Sequence, residues 1–335
     1  MSLDAIIPAR RAARPSSARW TRRLASGAVI VTLLYLVLFA LYATWQPSAL
    51  SAYTLDSLVN NATPLAIAAA GETLVVLTRG FDLSVAGVMS LTNVVMAAYP
   101  MEGPGGALAS LAICLAIGAG VGAVNGYVVA VLRLQSIAAT LGTMIICQGL
   151  ALVILAAPGG TVADFVANTL TDTFFGVVPI PGLVLLGLAL AWLVLRRTDT
   201  GLALYTIGTD EASAALSGIS VVRTRFVAFV GAGLVYGLAG FMLSAQTATG
   251  DPNGGRPFLM LTFAAVALGG TSLSGGRGGP IGSMVGAATL MLLQKVLFSG
   301  GVSSFYTGIF QGAVLVLAIV FSRLLTHLLD RKVTT

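Results

Sequence analysis

The sequence predicts an all-α polytopic membrane protein of about ten transmembrane helices, with both termini cytoplasmic and some spans short or broken. Three observations predict it. Charged residues make up 9% of the 335 positions and apolar residues 57%, whereas ordinary soluble domains are about a quarter charged. The mean hydropathy is +0.95, which implies more apolar surface than a soluble fold of this size can hide. Apolar runs of about 20 residues, enough for a helix to cross the hydrocarbon core, recur along nearly the whole chain.

The N-terminal segment "PARRAARPSSARWTRRLAS" carries Arg10, Arg11, Arg14, Arg19, Arg22 and Arg23. A basic stretch before an apolar run also opens a signal peptide, but this run is as long as a full span and lacks a small-residue cleavage site. Residues 1–23 are therefore expected as a basic cytoplasmic tail, and Leu24–Tyr42 as an uncleaved first helix. Further spans are expected at 57–77, 84–99, 106–132, 136–156, 182–195, 226–245, 258–270, 279–298 and 304–323. They complete a transmembrane domain over 24–323, followed by a cytoplasmic tail, 324–335. The segments 84–99, 182–195 and 258–270 fall below the roughly 17 residues a lone crossing needs. They borrow flanking residues or are broken helices buried among neighbours.

Basic residues support the count. With ten spans and the N-terminus inside, 16 of the 18 Lys and Arg fall in the cytoplasm, and only Arg256 and Lys295 lie on or near the far side. Removing one span breaks this segregation, which is the positive-inside pattern. The net charge of +6 thus reports topology, and no nucleic-acid partner is expected. Cys114 and Cys147 sit inside apolar runs and are expected as buried thiols. The single histidine, His327, has no neighbouring Cys or His, so no metal site and no cofactor is expected.

The glycine-crowded stretch "TFAAVALGGTSLSGGRGGPIGS", residues 262–283, invites a nucleotide-binding reading. A phosphate loop needs Lys followed by Ser or Thr, but the only lysines, Lys295 and Lys332, are each followed by Val. The glycines serve geometry instead. Gly269 and Gly270 end one span, Gly275, Gly276, Gly278 and Gly279 permit a sharp turn, and Pro280 opens the next helix. Other glycines recur at four-residue spacing: Gly118, Gly122 and Gly126; Gly233 and Gly237; Gly282 and Gly286. Such faces let helices approach closely in lipid, where no hydrophobic drive pulls them together.

Within the long cytoplasmic segment 196–225, "GTDEASAALSGIS" predicts a short helix. Thr209 or Asp210 caps it, Asp210 and Glu211 favour the positive end of its dipole, and Gly218 stops it. Ala212, Ala215 and Leu216 form a small apolar face. So short a helix is not stable alone in water. It either folds back on its own bundle or seats in a groove of a cytoplasmic motor as a coupling helix.

Polar residues within spans are candidates for a translocation path: Asn60, Asn61, Glu72, Asn93, Asn125 and Gln148. Interhelical hydrogen bonding explains the amides equally. Glu72, about 10 Å along a helix from Arg79, either snorkels or pairs with that arginine, or faces a substrate or ion cavity.

Five blocks together resemble the permease subunits of bacterial ATP-binding-cassette importers for monosaccharides, the ribose/xylose/galactoside type. They are "GETLVVLTRGFDLSVAGVMSLTNVVMA", which contains Asp82, Leu83 and Ser84; "VNGYVVAVLRLQSIAATLGTM"; "YTIGTDEASAALSGISVVRTRF"; "ALGGTSLSGGRGGPIGSMVGA"; and "GVSSFYTGIFQGAVLVLAI". The match runs in order from about residue 57 to 323. Arg79 stands where the family often has Gly, Gln135-Ser136 where a Pro-Pro pair is common, and Lys295 where an uncharged polar residue is common. The resemblance implies a bacterial inner-membrane subunit that is itself not an enzyme. Its implied partners are a second permease subunit (the same or different), a cytoplasmic ATPase and a periplasmic sugar-binding protein, all assembled in membrane lipid. It also favours the coupling role for Asp210–Gly218. A permease for branched-chain amino acids and an ion-coupled secondary carrier using Glu72 are the alternatives.

Overall fold

A computed structural model describes residues 27–302 and isolated positions beyond them up to 316. The two expected tails, and the final span 304–323 apart from those isolated positions, lie outside the described residues. The helices are α1 (Gly27–Trp45), α2 (Ala52–Leu77), α3 (Ser84–Ala98), α4 (Gly103–Gly126), α5 (Ser136–Ile154), α6 (Asp164–Thr169), α7 (Ile180–Leu195), α8 (Asp199–Thr209), α9 (Glu211–Leu216), α10 (Val221–Thr247), α11 (Arg256–Leu268) and α12 (Pro280–Ser299). A π-helical turn, Tyr127–Val131, extends α4.

Every apolar segment expected before residue 303 is helical. Among the described residues, five helices are long and apolar enough to cross a membrane by themselves: α1, α4 with its π turn, α5, α10 and α12. The pair α7–α8, bent by 79°, makes a sixth if counted as one span. Helix α2 has 26 residues but is diluted by Asp56, Asn60, Asn61 and Glu72. Helices α3 and α11 are short, with 15 and 13 residues.

Burial sorts these helices. Helix α2 is buried at every position from Ala62 to Leu77, and α3 at every position from Ser84 to Val94. By contrast, α5 buries only Thr140, Cys147, Gln148 and Ala151, and its outward leucines and isoleucines suit lipid. A short helix held inside the protein needs no lipid-spanning length, because its neighbours satisfy it. Helix α10 packs on α2, α3 and α4, while α12 packs on α1, α2 and α11.

The glycine faces are the contact surfaces between these helices. Gly118 meets the backbone of Gly233 and Gly237, Gly122 meets Phe229, and Gly126 meets Phe226, so α4 and α10 touch almost backbone to backbone. Gly282 and Gly286 meet Gly269 and Ala265 in the same way, joining α12 to α11. A Cβ at any of these glycines would overlap or crowd the partner's main chain. Cys114 and Cys147 are both buried and free.

Two parts of the sequence reading change. The all-α description gains one antiparallel pair, β1 (Thr173–Phe174) with β2 (Val178–Pro179). Phe175 and Gly176, at φ of 53° and 70°, close the hairpin; positive φ at successive turn residues matches the strand twist. The segment 196–225 is mostly helix. Helix α8 begins where the Thr198 hydroxyl accepts from the Gly201 amide at 3.3 Å, and α10 already starts at Val221.

Candidate functional site

Helices α2 and α3 are joined by the turn Thr78–Leu83, in which the amides of Thr78, Arg79 and Gly80 still donate to the Val75 and Val76 carbonyls of α2. From Phe81 to Ser84 each amide finds a side chain. Phe81 donates to the Ser136 hydroxyl at 3.2 Å, and Asp82 to the Glu72 carboxylate at 3.1 Å. Leu83 donates to the Thr140 hydroxyl at 3.0 Å, and Ser84 to the Asp82 carboxylate at 3.0 Å. Irregular backbone inside a bundle is tolerated where protein groups replace water in this way. The Asp-Leu-Ser motif therefore leads into α3, with Leu83 at the cap position, Ser84 as the first helical residue and Asp82 as the acceptor for the Ser84 amide.

The same cluster reaches further. The other oxygen of Glu72 accepts from the Tyr236 hydroxyl at 2.6 Å. Asp82 Oδ1 also accepts from the Ser84 hydroxyl at 2.6 Å and the Asn125 amide at 3.3 Å. Asn125 in turn accepts from Thr143 at 2.7 Å. Glu72, Asp82, Ser84 and Asn125 are all buried, and Asp82 Oδ2 has no hydrogen-bond partner. Glu72 does not pair with Arg79: it is too deep along α2, and Arg79 points to α8.

The remaining polar candidates are spread out, each joining different segments. Asn60 donates to the Thr171 carbonyl at 3.0 Å. Asn61 accepts from Gln246 at 2.7 Å. Asn93 donates to Ser244 at 3.1 Å and accepts from the Asp251 amide at 2.6 Å. Gln148 donates to Asn253 at 2.9 Å. Asn60 and Asn61 are only partly buried. The sequence identified the polar residues but not Tyr236, which lies in an apolar run without any spacing signal that ties it to Glu72.

At one end of the bundle three turns converge. Arg79, which follows α2, donates through Nε to the Gly208 carbonyl at 2.8 Å and through Nη2 to the Thr209 carbonyl at 2.7 Å. Gly276 donates its amide to the Leu77 carbonyl at 3.1 Å. Gly208 lies so close to Leu77 and Gly276 that a Cβ there would overlap both. Gly270, Gly275, Gly276 and Gly278 all have positive φ, while Gly269 caps α11 and Pro280 begins α12.

Helix α9 projects from this junction. Asp210, not Thr209, is its cap, accepting from the amides of Ala212 at 3.0 Å and Ser213 at 3.3 Å. The hydroxyl and amide of Ser213 hold the Asp210 carboxyl below the usual range. Gly218, at φ 81°, ends the element. The helix has six residues, fewer than Asp210–Gly218 suggested, and Ala214 alone is buried. Ala212, Ala215 and Leu216 are exposed, Leu216 by 90%. Glu211 pairs with Arg225 of α10 at 2.6 Å. A cavity of about 800 Å³ opens beside α9, with Arg79, Arg133, Ala212, Ala215 and Arg225 among its lining.

A bundle of apolar helices, several long enough to span a membrane, defines a multi-pass membrane protein. The family model described as "Branched-chain amino acid transport system / permease component" matches residues 54–319, and the chain belongs to that family. It is similar to the ribose import permease protein RbsC of Escherichia coli K12, with 36% identity over 294 residues covering 85% of this chain and 90% of that protein. The fructose import permease protein FrcC of Rhizobium meliloti is 30% identical over 305 residues, covering 88% and 85% respectively. No solved structure matches. These relatives bear out the resemblance to sugar-importer permeases, and with the apolar helices they identify a multi-pass inner-membrane protein.

Proposed function

We propose that this chain is the membrane-spanning subunit of an ATP-binding-cassette importer that carries a monosaccharide or related polyol across the bacterial inner membrane. The observation that carries the reading is the similarity to ribose and fructose import permeases across most of the chain. The complete unit comprises two permease subunits, a cytoplasmic ATPase and a periplasmic sugar-binding protein. The permease itself performs no hydrolysis. Ten crossings, with both termini and α9 on the cytoplasmic side, agree best with the distribution of arginines.

In this arrangement α9, from the Asp210 cap to Gly218, docks on the ATPase through the exposed Ala212, Ala215 and Leu216. The translocation path is drawn from the polar candidates. Asn60 and Asn61, which are only partly buried, are placed at its mouth. The buried Glu72, Asn93, Asn125 and Gln148 hold its walls in register. Scattered amides and hydroxyls suit a transient, water-mediated passage of sugar hydroxyls, so selection belongs mainly to the binding protein.

The family description favours a second reading, import of branched-chain amino acids. Uptake into vesicles that contain the permease, ATPase and binding protein separates the readings. ATP-dependent accumulation of a labelled monosaccharide supports the proposal. Accumulation of leucine instead selects the second reading, and uptake that needs only an ion gradient rejects both.

A further inference from the structure

We propose that Arg79 is a positioning residue that clamps the loop helix α9 to the inner end of α2, so that α2 is the shaft through which α9's displacement reaches the membrane interior. The inference rests on the importer reading above.

The covalent routes out of α9 are poor levers. Behind it, α8 meets α7 at a 79° bend. Ahead of it, the chain passes through Gly218, at φ 81°, before α10 begins. Packing adds one buried side chain, Ala214, and one ion pair, Glu211 with Arg225.

Arg79 provides the stiffer connection. Its guanidinium makes two hydrogen bonds, at 2.8 and 2.7 Å, to successive carbonyls at the end of α8. Those carbonyls are the negative end of the α8 dipole, where a cation is favoured, and a planar fork fixes direction as well as distance. The second carbonyl belongs to Thr209, immediately before the Asp210 cap of α9.

The backbone at Arg79 has φ 65°, a conformation that disfavours residues with a Cβ and persists where surroundings over-determine it. The surroundings do so here. The Arg79 amide is held by the Val76 carbonyl at 2.9 Å, and the Leu77 carbonyl accepts from Gly276 at 3.1 Å. Gly275 leaves room for the arginine stem, and Gly208 for the Leu77 carbonyl. The glycine turn thus acts as a seat in which the ends of α2 and α8 are pressed together.

From Arg79 the shaft leads back along α2 to Glu72, which is bonded to the Asp82 amide and to Tyr236 of α10. Displacement of α9 therefore arrives at the α2–α3 turn and at α10 together. Spatial continuity alone does not establish coupling, so the test must read motion as well as activity.

The test uses the full chain reconstituted with its ATPase and binding protein. Arg79→Gln removes the charge and the fork, and Arg79→Lys keeps the charge without the fork. Arg79→Gly relaxes the left-handed backbone but removes the clamp. Expected results are wild-type membrane abundance, wild-type co-purification of the ATPase, and roughly tenfold less substrate moved per ATP in the Gln and Gly variants, with Lys between. Spin labels on Ser213→Cys in α9 and Ala52→Cys at the far end of α2 read the shaft, since the native Cys114 and Cys147 are buried. In the parent protein the distance between them should be narrow and unchanged by ATP; in Arg79→Gln it should broaden. Should Gln destabilise the chain, the Lys variant and the parent's own spin-label distance still decide the matter. Wild-type stoichiometry in Arg79→Gln, or an ATP-driven change of several ångströms in the parent, overturns the clamp while leaving the importer intact. Parent uptake that does not require ATP overturns both.

Discussion

The Tyr236 hydroxyl and the Glu72 carboxylate meet at 2.6 Å across a sequence separation of 164 residues. Gly71 makes the approach possible, because a Cβ there would crowd the tyrosine ring. Both side chains are fully buried, so each is the other's only escape from an unsatisfied polar atom, apart from the Asp82 amide.

Glu72→Ala strands the Tyr236 hydroxyl and the Asp82 amide together, at a cost of about 1–3 kcal/mol for each buried group left unpaired. Tyr236→Phe removes one donor and leaves Glu72 with the other, so its effect should be smaller. Thermal unfolding in detergent should rank Ala below Phe, and Phe below the parent. An order in which the phenylalanine variant is the weaker of the two would remove Glu72 as the organiser of the turn.

On α4, Gly122 and Gly120 are two residues apart but face differently. Gly122 presses on the Phe229 backbone, while nothing lies within 4 Å of a Cβ at Gly120. Gly122→Ala should destabilise by about 1–3 kcal/mol through overpacking. Gly120→Ala should be neutral or mildly stabilising, since alanine is the better helix former. Equal melting temperatures for the two variants would contradict the backbone-to-backbone contact.

In α9 the buried and exposed alanines should separate by phenotype. Ala215→Trp adds bulk to an exposed face, so the permease should remain abundant in the membrane but lose its ATPase. Ala214→Pro deletes the amide that donates to the Asp210 carbonyl at 3.0 Å and should unseat the helix. Co-purification measures the first, and cross-linking from Ser213→Cys to the ATPase the second. Normal transport by the proline variant would end the coupling assignment.

The Asp210 cap carries a pH signature. Its folded carboxyl is held low by the Ser213 hydroxyl. The cap's contribution is therefore complete above the ordinary aspartate value of about 3.9 and fades as pH falls through the lower folded value. Hydrogen-exchange protection of the Ala212 and Ser213 amides, corrected for intrinsic exchange, should be flat between about pH 5 and 8. Asp210→Ala should lose that protection, and Asp210→Asn, which keeps an acceptor, should retain much of it. A protection step near neutrality would show that another group controls the cap.

The helices were legible because each apolar run, including the short ones that became α3 and α11, is flanked by turn residues. The loop helix was legible because Asp210 and Gly218 carry their signals locally. Glycine spacing announced close faces, although only the structure pairs Gly118 with Gly233. The alliances of single polar atoms were not legible. Seven residues along one helix suggested Glu72 with Arg79, but depth sent Glu72 to a tyrosine on α10 and a left-handed turn sent Arg79 to α8. A charge pattern in sequence carries no information about the direction of a turn. Likewise, the small face expected on α9 is there, but its one inward residue is Ala214, which the pattern did not single out.

The four amides of the α2–α3 turn also constrain the order of assembly. Two of their acceptors, Ser136 and Thr140, belong to α5, which is synthesised some fifty residues after the turn they satisfy. Until α5 arrives, the Phe81 and Leu83 amides have no protein partner and must keep water or the insertion machinery beside them. The α2–α3 hairpin therefore cannot be released into lipid as a finished unit. It has to wait for α5, which makes this stretch of the chain a checkpoint in biogenesis, where a lost hydroxyl at Ser136 or Thr140 would appear as a delay in membrane integration before any loss of transport.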